Sequence, residues 1–332
     1  MENLMKAICL TTEGVKVRDV PQPATAQPEH LIVKMEYCAI NPGDIAFISR
    51  PLPPGAVISL YDVYGVSGTG RVIETGAGVP EAYKGRQVTV YRSLKASDQI
   101  VGTWCELAHL HFLDCAILPD NVRLEDYSGS LVNIITPYAF LKTISAEGDK
   151  GILSTAGTSA TGIAMLGICL ANDFPLLSLV RDEAGKKQLE DLGAKNVIVQ
   201  NTPDFTQQVQ TMAQQLGTTA IFDGVGGEVL NKILEVLPNN STVYTYGYLG
   251  GPTPLTFHTS ILQKGIVIKG FGNFRTPTVQ NPQSLEQALK DISGFIQLPH
   301  FKTKAGKKFA WEEIHAALQF SSSTGEKAIL CA

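Results

Sequence analysis

From Asp149 onward the chain alternates short apolar runs with helical ones, and that alternation restricts its fold more than any other feature of the sequence. Strands are expected at 152–155, 176–181, 196–199, 220–223 and 242–247, with 266–271 supplying a sixth. Between them 160–171, 183–192, 205–216 and 229–237 carry helical apolar spacing. Strand and helix in turn give a parallel sheet covered on both faces, because each parallel crossover needs about a helix of chain. This is a doubly wound α/β arrangement, which binds ligands at the carboxyl ends of its strands.

The first of these strands runs into Ala156, Gly157, Thr158, Ser159, Ala160, Thr161 and Gly162. Set against G-x-G-x-x-G, Gly157 and Gly162 hold the outer positions and Ser159 the middle one. Glycine there would let backbone approach a pyrophosphate; serine adds a Cβ and a hydroxyl. The helix starts at once, so its free N–H groups face the loop and favour an anion. A turn of small residues serving only close helix–sheet packing would read the same way. The second strand ends at Arg181, 19 residues past Gly162. An acidic residue at that point would bond ribose hydroxyls, whereas arginine suits a 2′-phosphate. Lys186 and Lys187 follow one turn later, and the expected cofactor is NADPH. Asp223, Val225 and Gly226 follow the fourth strand and Tyr246 and Gly247 end the fifth, so all five are expected near the cofactor. Phe271, Gly272 and Asn273, after the sixth, would close over the nicotinamide.

The first 125 residues read differently, as short β segments at 31–37, 65–74 and Gln87–Tyr91 broken by turns such as Pro51-Leu52-Pro53-Pro54-Gly55. After residue 272 come helices at 285–296 and 311–319 and a last strand at Lys327–Cys331. Sixty residues make a poor third domain, so this tail is expected to return to the first. The expected boundaries are 1–127, 128–271 and 272–332. With 27 basic and 31 acidic residues the chain carries a formal charge of −4 and no basic run, which argues against nucleic acid or an anionic membrane as partner. Cysteines 9, 38, 105, 115, 169 and 331 form no C-x-x-C pair. Reduced, mostly buried thiols and a cytoplasmic setting are expected.

Several segments together carry a resemblance over nearly the whole length. They are Ala39-Ile40-Asn41-Pro42-Gly43-Asp44, Gly65-Val66-Ser67-Gly68-Thr69-Gly70-Arg71-Val72, Thr136, Leu192-Gly193-Ala194, Phe222 to Gly227, Tyr246-Gly247 and Gly325 to Leu330. In order and spacing the chain resembles the medium-chain dehydrogenase/reductase superfamily, in its zinc-free quinone oxidoreductase and enoyl reductase branches. The resemblance implies a GroES-like β-barrel catalytic domain beside a Rossmann cofactor domain. Zinc enzymes of that superfamily carry Cys and His where this chain has Asn41 and Pro42, and often Glu at Ser67. Neither Asn nor Pro supplies a thiolate or imidazole, so no metal is expected. His109 and His111 would share a strand face but lack a third ligand.

Without a metal to polarise an alcohol, reduction of a conjugated acceptor is the undemanding chemistry. A zinc-independent, NADPH-dependent reductase of a quinone or small enone is therefore expected. Asn41 and Thr136 are placed near the nicotinamide, with Tyr64 as the phenolic proton donor. Each also has a plain structural role open to it: a turn cap, a helix cap and a core aromatic. Lys327 resembles a family residue near the cofactor phosphate. Ser159 and Val180-Arg181-Asp182 resemble the 2-enoyl thioester reductases, which carry a catalytic tyrosine where this chain has Leu52. Tyr61 or Tyr64 would have to replace it. A non-catalytic nucleotide-binding protein is the third reading. Relatives pair sheet edges into homodimers, and 242–249 is the edge strand expected to do so here.

Overall fold

The computed structural model describes residues 3–50, 58–322 and 325–332. The Pro51–Gly55 turn cluster and Leu52 lie outside the described residues. Two compact units emerge, one of residues 1–133 with 281–332, the other of residues 134–280.

The first unit opens with a hairpin, β1 (Leu4–Thr11) and β2 (Gly14–Pro21). β3 (His30–Ala39) then pairs antiparallel with both β4 (Ser67–Thr75) and β6 (Leu107–His111). β5 (Gln87–Tyr91) bridges β4 to β7 (Cys115–Ile117). Between β3 and β4 lies helix α1 (Pro42–Ile48), with Asn41 as its N-cap and Pro42 in its first turn. Proline suits that place, since its missing N–H would have had no helical partner.

Helix α2 (Ser130–Glu147) leads from the first unit into the second. Six parallel strands follow: β8 (Gly151–Ser154), β9 (Leu176–Val180), β10 (Val197–Val199), β11 (Thr218–Asp223), β12 (Thr242–Thr245) and β13 (Val267–Gly270). Their spatial order is β10-β9-β8-β11-β12-β13. The crossovers carry α3 (Ala160–Ala171), α4 (Glu183–Asp191), α5 (Phe205–Leu216), α6 (Gly227–Ile233) and the short α7 (Ser260–Gln263). Leu153, Leu179, Ile221 and Val243 of the sheet pack with Val209, Ala213 and Leu230 of the helices in one buried core. This is the doubly wound order that the alternation predicts, and α3 and α5 have the expected bounds.

α8 (Pro277–Gln280) closes the second unit, and α9 (Pro282–Phe295) opens the returning tail. β14 (Ala305–Ala310), α10 (Ile314–Leu318) and β15 (Lys327–Cys331) complete it. β15 pairs antiparallel with β3, so the last residues of the chain finish the first unit's seven-stranded sheet.

Three expectations are corrected. The 242–249 segment is not the edge of the parallel sheet: β12 is hydrogen-bonded on both sides, and β13 is the edge. β12 also stops at Thr245, two residues early. Thr136 does not open a helix but sits inside α2, immediately before Pro137.

Candidate active site

In the second unit the loop after β8 is built for tight packing. A Cβ on Gly162 would lie 2.0 Å from the Ala156 carbonyl oxygen, and one on Gly157 would lie 2.9 Å from that of Leu179. Both outer glycines are therefore required by backbone contact. Ser159 is the N-cap of α3. Its hydroxyl accepts from Gly162 N–H at 3.0 Å and donates to the Ala156 carbonyl at 2.8 Å. Ser159 thus spends its side chain on the loop itself, fixing the turn that a middle glycine would leave loose. Ala160 and Thr161 form the first turn of α3, where N–H groups face outward.

Asp223, at the end of β11, is fully buried. One oxygen accepts from the Thr155 hydroxyl (2.7 Å) and from the N–H groups of Val225 (3.2 Å) and Gly226 (3.0 Å). The other accepts from Thr245 at 3.2 Å. The carboxylate ties together the carboxyl ends of three adjacent strands. Gly226, at φ 68°, makes the turn possible. Tyr246 stacks on Phe222 with centroids 4.0 Å apart, and its buried hydroxyl lies beside the Ser159 side chain. Burial raises the pKa of that hydroxyl well above the ordinary phenol value. A Cβ on Gly247 would lie 3.1 Å from the Gly224 carbonyl oxygen. Phe271 packs edge-on against Phe140 and Tyr244, and Asn273 donates to the Thr136 hydroxyl at 3.2 Å. At the end of β9, Arg181 is exposed and Lys186 partly so. Neither forms an ion pair among the described residues, whereas Lys187 pairs with Asp191. A doubly wound sheet with a helix N-terminus at the carboxyl end of β8 fits a nicotinamide dinucleotide.

In the first unit a polar network surrounds Asp44, which is 1 % exposed. Asp44 Oδ2 accepts from the Asn41 N–H (2.7 Å) and from Asn41 Nδ2 (3.0 Å). Asn41 Nδ2 also donates to Ser67 Oγ at 2.9 Å, and Lys327 Nζ donates to Asn41 Oδ1 at 2.5 Å. Tyr64 faces the same carboxylate, wedged between Phe47 (5.7 Å) and Trp104 (4.9 Å) under the Arg92 guanidinium (5.8 Å). The hydroxyl is within reach of Asp44 as a hydrogen-bond donor, and it also feels the charge of that carboxylate. Burial raises the Asp44 pKa, opposed by the Asn41 donors, Tyr64 and Lys327. Burial and the Asp44 charge push Tyr64 far above the ordinary phenol range. Lys327 is lowered to about 8 by burial, opposed by Asp44.

The structure thus gathers Asn41, Tyr64 and Lys327 around one carboxylate, and holds Thr136 with Asn273 in the other unit. Tyr61, the alternative phenol, is exposed on a turn in left-handed conformation. Asp44 carries no expected role, although it closes the quoted N-P-x-D segment. His30 is likewise unexpected; its ring stacks on His109 at 4.8 Å and meets His111 at 5.3 Å. Among the described residues no group of three or more His, Cys, Asp or Glu is arranged to hold a metal ion. All six cysteines are free thiols, five of them buried. Among the described residues no helix is long and apolar enough to cross a membrane.

Comparison with known proteins agrees with this division. Residues 27–116 match the alcohol dehydrogenase GroES-like domain family, and residues 160–293 the zinc-binding dehydrogenase family. The chain is 24 % identical to the mitochondrial enoyl-[acyl-carrier-protein] reductase of Dictyostelium discoideum, covering 95 % of this chain and 93 % of that one. It is 21 % identical to the quinone oxidoreductase-like protein 2 of Bos taurus, covering 95 % and 88 %. The solved quinone oxidoreductase of Pseudomonas syringae pv. tomato superposes with a TM-score of 0.72 at 20 % identity, over 99 % of this chain and 100 % of that one. Two family models in chain order, a GroES-like sheet completed by the C-terminal strand and a doubly wound nucleotide fold lead to one conclusion. The chain belongs to the medium-chain dehydrogenase/reductase superfamily, in which quinone oxidoreductases and enoyl reductases are its relatives.

Proposed function

We propose that this oxidoreductase is an NADPH-dependent reductase of quinones or small α,β-unsaturated carbonyl compounds. Arg181 carries the cofactor half of the reading: an exposed guanidinium without an ion pair among the described residues, where a ribose-binding carboxylate would stand. When bound, NADPH supplies the hydride. The amides opening α3 would receive its pyrophosphate, and Arg181 with Lys186 its 2′-phosphate. Asn41, Tyr64 and Thr136 are proposed on the acceptor side. No substituent in this set can polarise an alcohol strongly, which favours conjugated acceptors whose reduced oxygen needs only a donor. A small-molecule acceptor, a homodimer and a reducing compartment that suits the free thiols complete the proposal.

Fluorescence titration with NADPH and NADH tests it. NADPH should bind at least ten times more tightly, and Arg181→Ala should abolish that preference. Equal affinities would overturn the NADPH assignment, and binding of neither would favour the non-catalytic reading. The relatives of the enoyl reductase class support a second reading. A higher kcat/KM for a 2-enoyl thioester than for any quinone or free enone would establish it.

A further inference from the structure

The hydrogen bonds around Asp44 decide which side chain of the first unit has a proton to give. Asn41 has none. Its two Nδ2 hydrogens are spent on Asp44 and Ser67, and its carbonyl accepts from Lys327. Tyr64 is 2 % exposed, enclosed by Phe47, Trp104 and Arg92, and its hydroxyl faces a carboxylate. Lys327 differs. An ammonium has three donors, and Asn41 Oδ1 is its one hydrogen-bond acceptor among the described residues. Gly129 leaves room for it: a Cβ there would lie 3.2 Å from Nζ and 3.4 Å from Asn41 Oδ1. The residue retains some accessible surface, while its charged end is closely packed. Two unspent N–H groups on a poorly solvated cation call for an oxygen acceptor.

We propose that Lys327 is the proton donor of the reduction, its ammonium paired with the oxygen that becomes anionic as the acceptor takes up hydride. This inference rests on the reductase reading. The hydride's electron pair leaves an enolate or hydroquinone oxyanion; one Nζ–H bond breaks and one O–H bond forms. The neutral amine then takes a proton from water, so each turnover consumes NADPH, acceptor and one proton. The pKa of about 8 suits that task, because a weakened ammonium is a better acid near neutrality. Among the described residues Asp44 is the charged group that acts on it, with Asn41, Ser67 and Tyr64 as the surrounding dipoles.

Two measurements test the proposal. The first is competitive acetylation of the whole protein read by mass spectrometry, which needs no turnover. Lys327 should half-titrate near pH 8, and 4-nitrophenolate with NADP+ should protect it where NADP+ alone does not. The second is kcat against pH with the best acceptor. Wild type should lose activity as pH rises through about 8, Lys327→Arg should carry that limb beyond pH 10, and Lys327→Met should lower kcat about a hundredfold with NADPH affinity within threefold. Asp44→Asn, which removes the charge that supports the ammonium, should move the limb to lower pH. A limb that stays near 8 in both lysine variants would overturn the proposal. So would protection by NADP+ alone with lost NADPH affinity in Lys327→Met, which would make Lys327 a phosphate contact. Absence of turnover with every acceptor would refute the reductase reading instead, and the phenolate protection would still decide whether Lys327 binds an oxyanion.

Discussion

A buried carboxylate is tolerated only when donors surround it, and Asp223 is surrounded more fully than Asp44. Asp223 accepts four hydrogen bonds from Thr155, Val225, Gly226 and Thr245. Asp223→Asn removes the charge that strengthens all four bonds and turns one acceptor oxygen into a donor, to which the Thr245 hydroxyl must reverse its own bond. It should destabilise the second unit by roughly 2–4 kcal/mol, measured as a lower urea midpoint by far-ultraviolet circular dichroism, and weaken NADPH binding with it. An unchanged midpoint would show that the strand ends do not depend on this knot. Sequence places an aspartate at a strand's end, but not the convergence of donors from β8, β11 and β12 upon it, because that follows from spatial order. Asn41 teaches the same lesson. Its motif is readable, yet only the bonds to Asp44, Ser67 and Lys327 reveal that its amide is fully engaged. The position of Arg181 just past a strand was legible, because it needs only a strand end and a count from Gly162.

Elements were legible wherever period and length coincided, as in α3 and α5. Neighbourhood was less so. The fifth strand reads as a plausible edge from its own residues, but β13 covers it, and Val267 (49 % exposed) and Ile268 (36 %) stand on the outer side. A four-residue strand with one free edge and exposed β-branched side chains is a ready template for a second copy. The dimer proposed above is therefore expected to form through β13. Ile268→Lys should weaken it at least tenfold, read by light scattering as a shift from two chains toward one of 35.7 kDa. A wild-type protein that scatters as a single chain at assay concentration would refute the dimer.

At the scale of the whole molecule, the two units can be followed separately. Both tryptophans, Trp104 and Trp311, belong to the first unit, so their fluorescence reports its unfolding alone. That unit also contains the histidine cluster. His109 Nδ1 faces the Gln99 carbonyl (2.6 Å) and its Nε2 accepts from Gln27 N–H (3.1 Å), which fixes a neutral ring. His111 Nδ1 accepts from Leu113 N–H at 3.1 Å. Protonating either acceptor nitrogen sets N–H against N–H. Burial accordingly lowers the pKa of both, that of His111 to about 4, with His30 and Lys95 adding to the effect and the Glu29 carboxylate 3.9 Å away. Since the unfolded histidine takes up a proton near 6.5, the unfolded state binds more protons as pH falls from there. The histidine contribution is full above about 6.5 and is lost progressively down to about 4, a change for His111 of about 3 kcal/mol. Asp44 and Asp114, both raised by burial, act in the opposite sense, since they take up protons first in the folded state. Comparison with His111→Gln separates the two. The wild-type urea midpoint by tryptophan fluorescence should fall between pH 7 and pH 5, and the variant should fall distinctly less. Parallel curves would mean that His111 is not the acid-sensitive group, and that the first unit's stability in acid is set by its carboxylates.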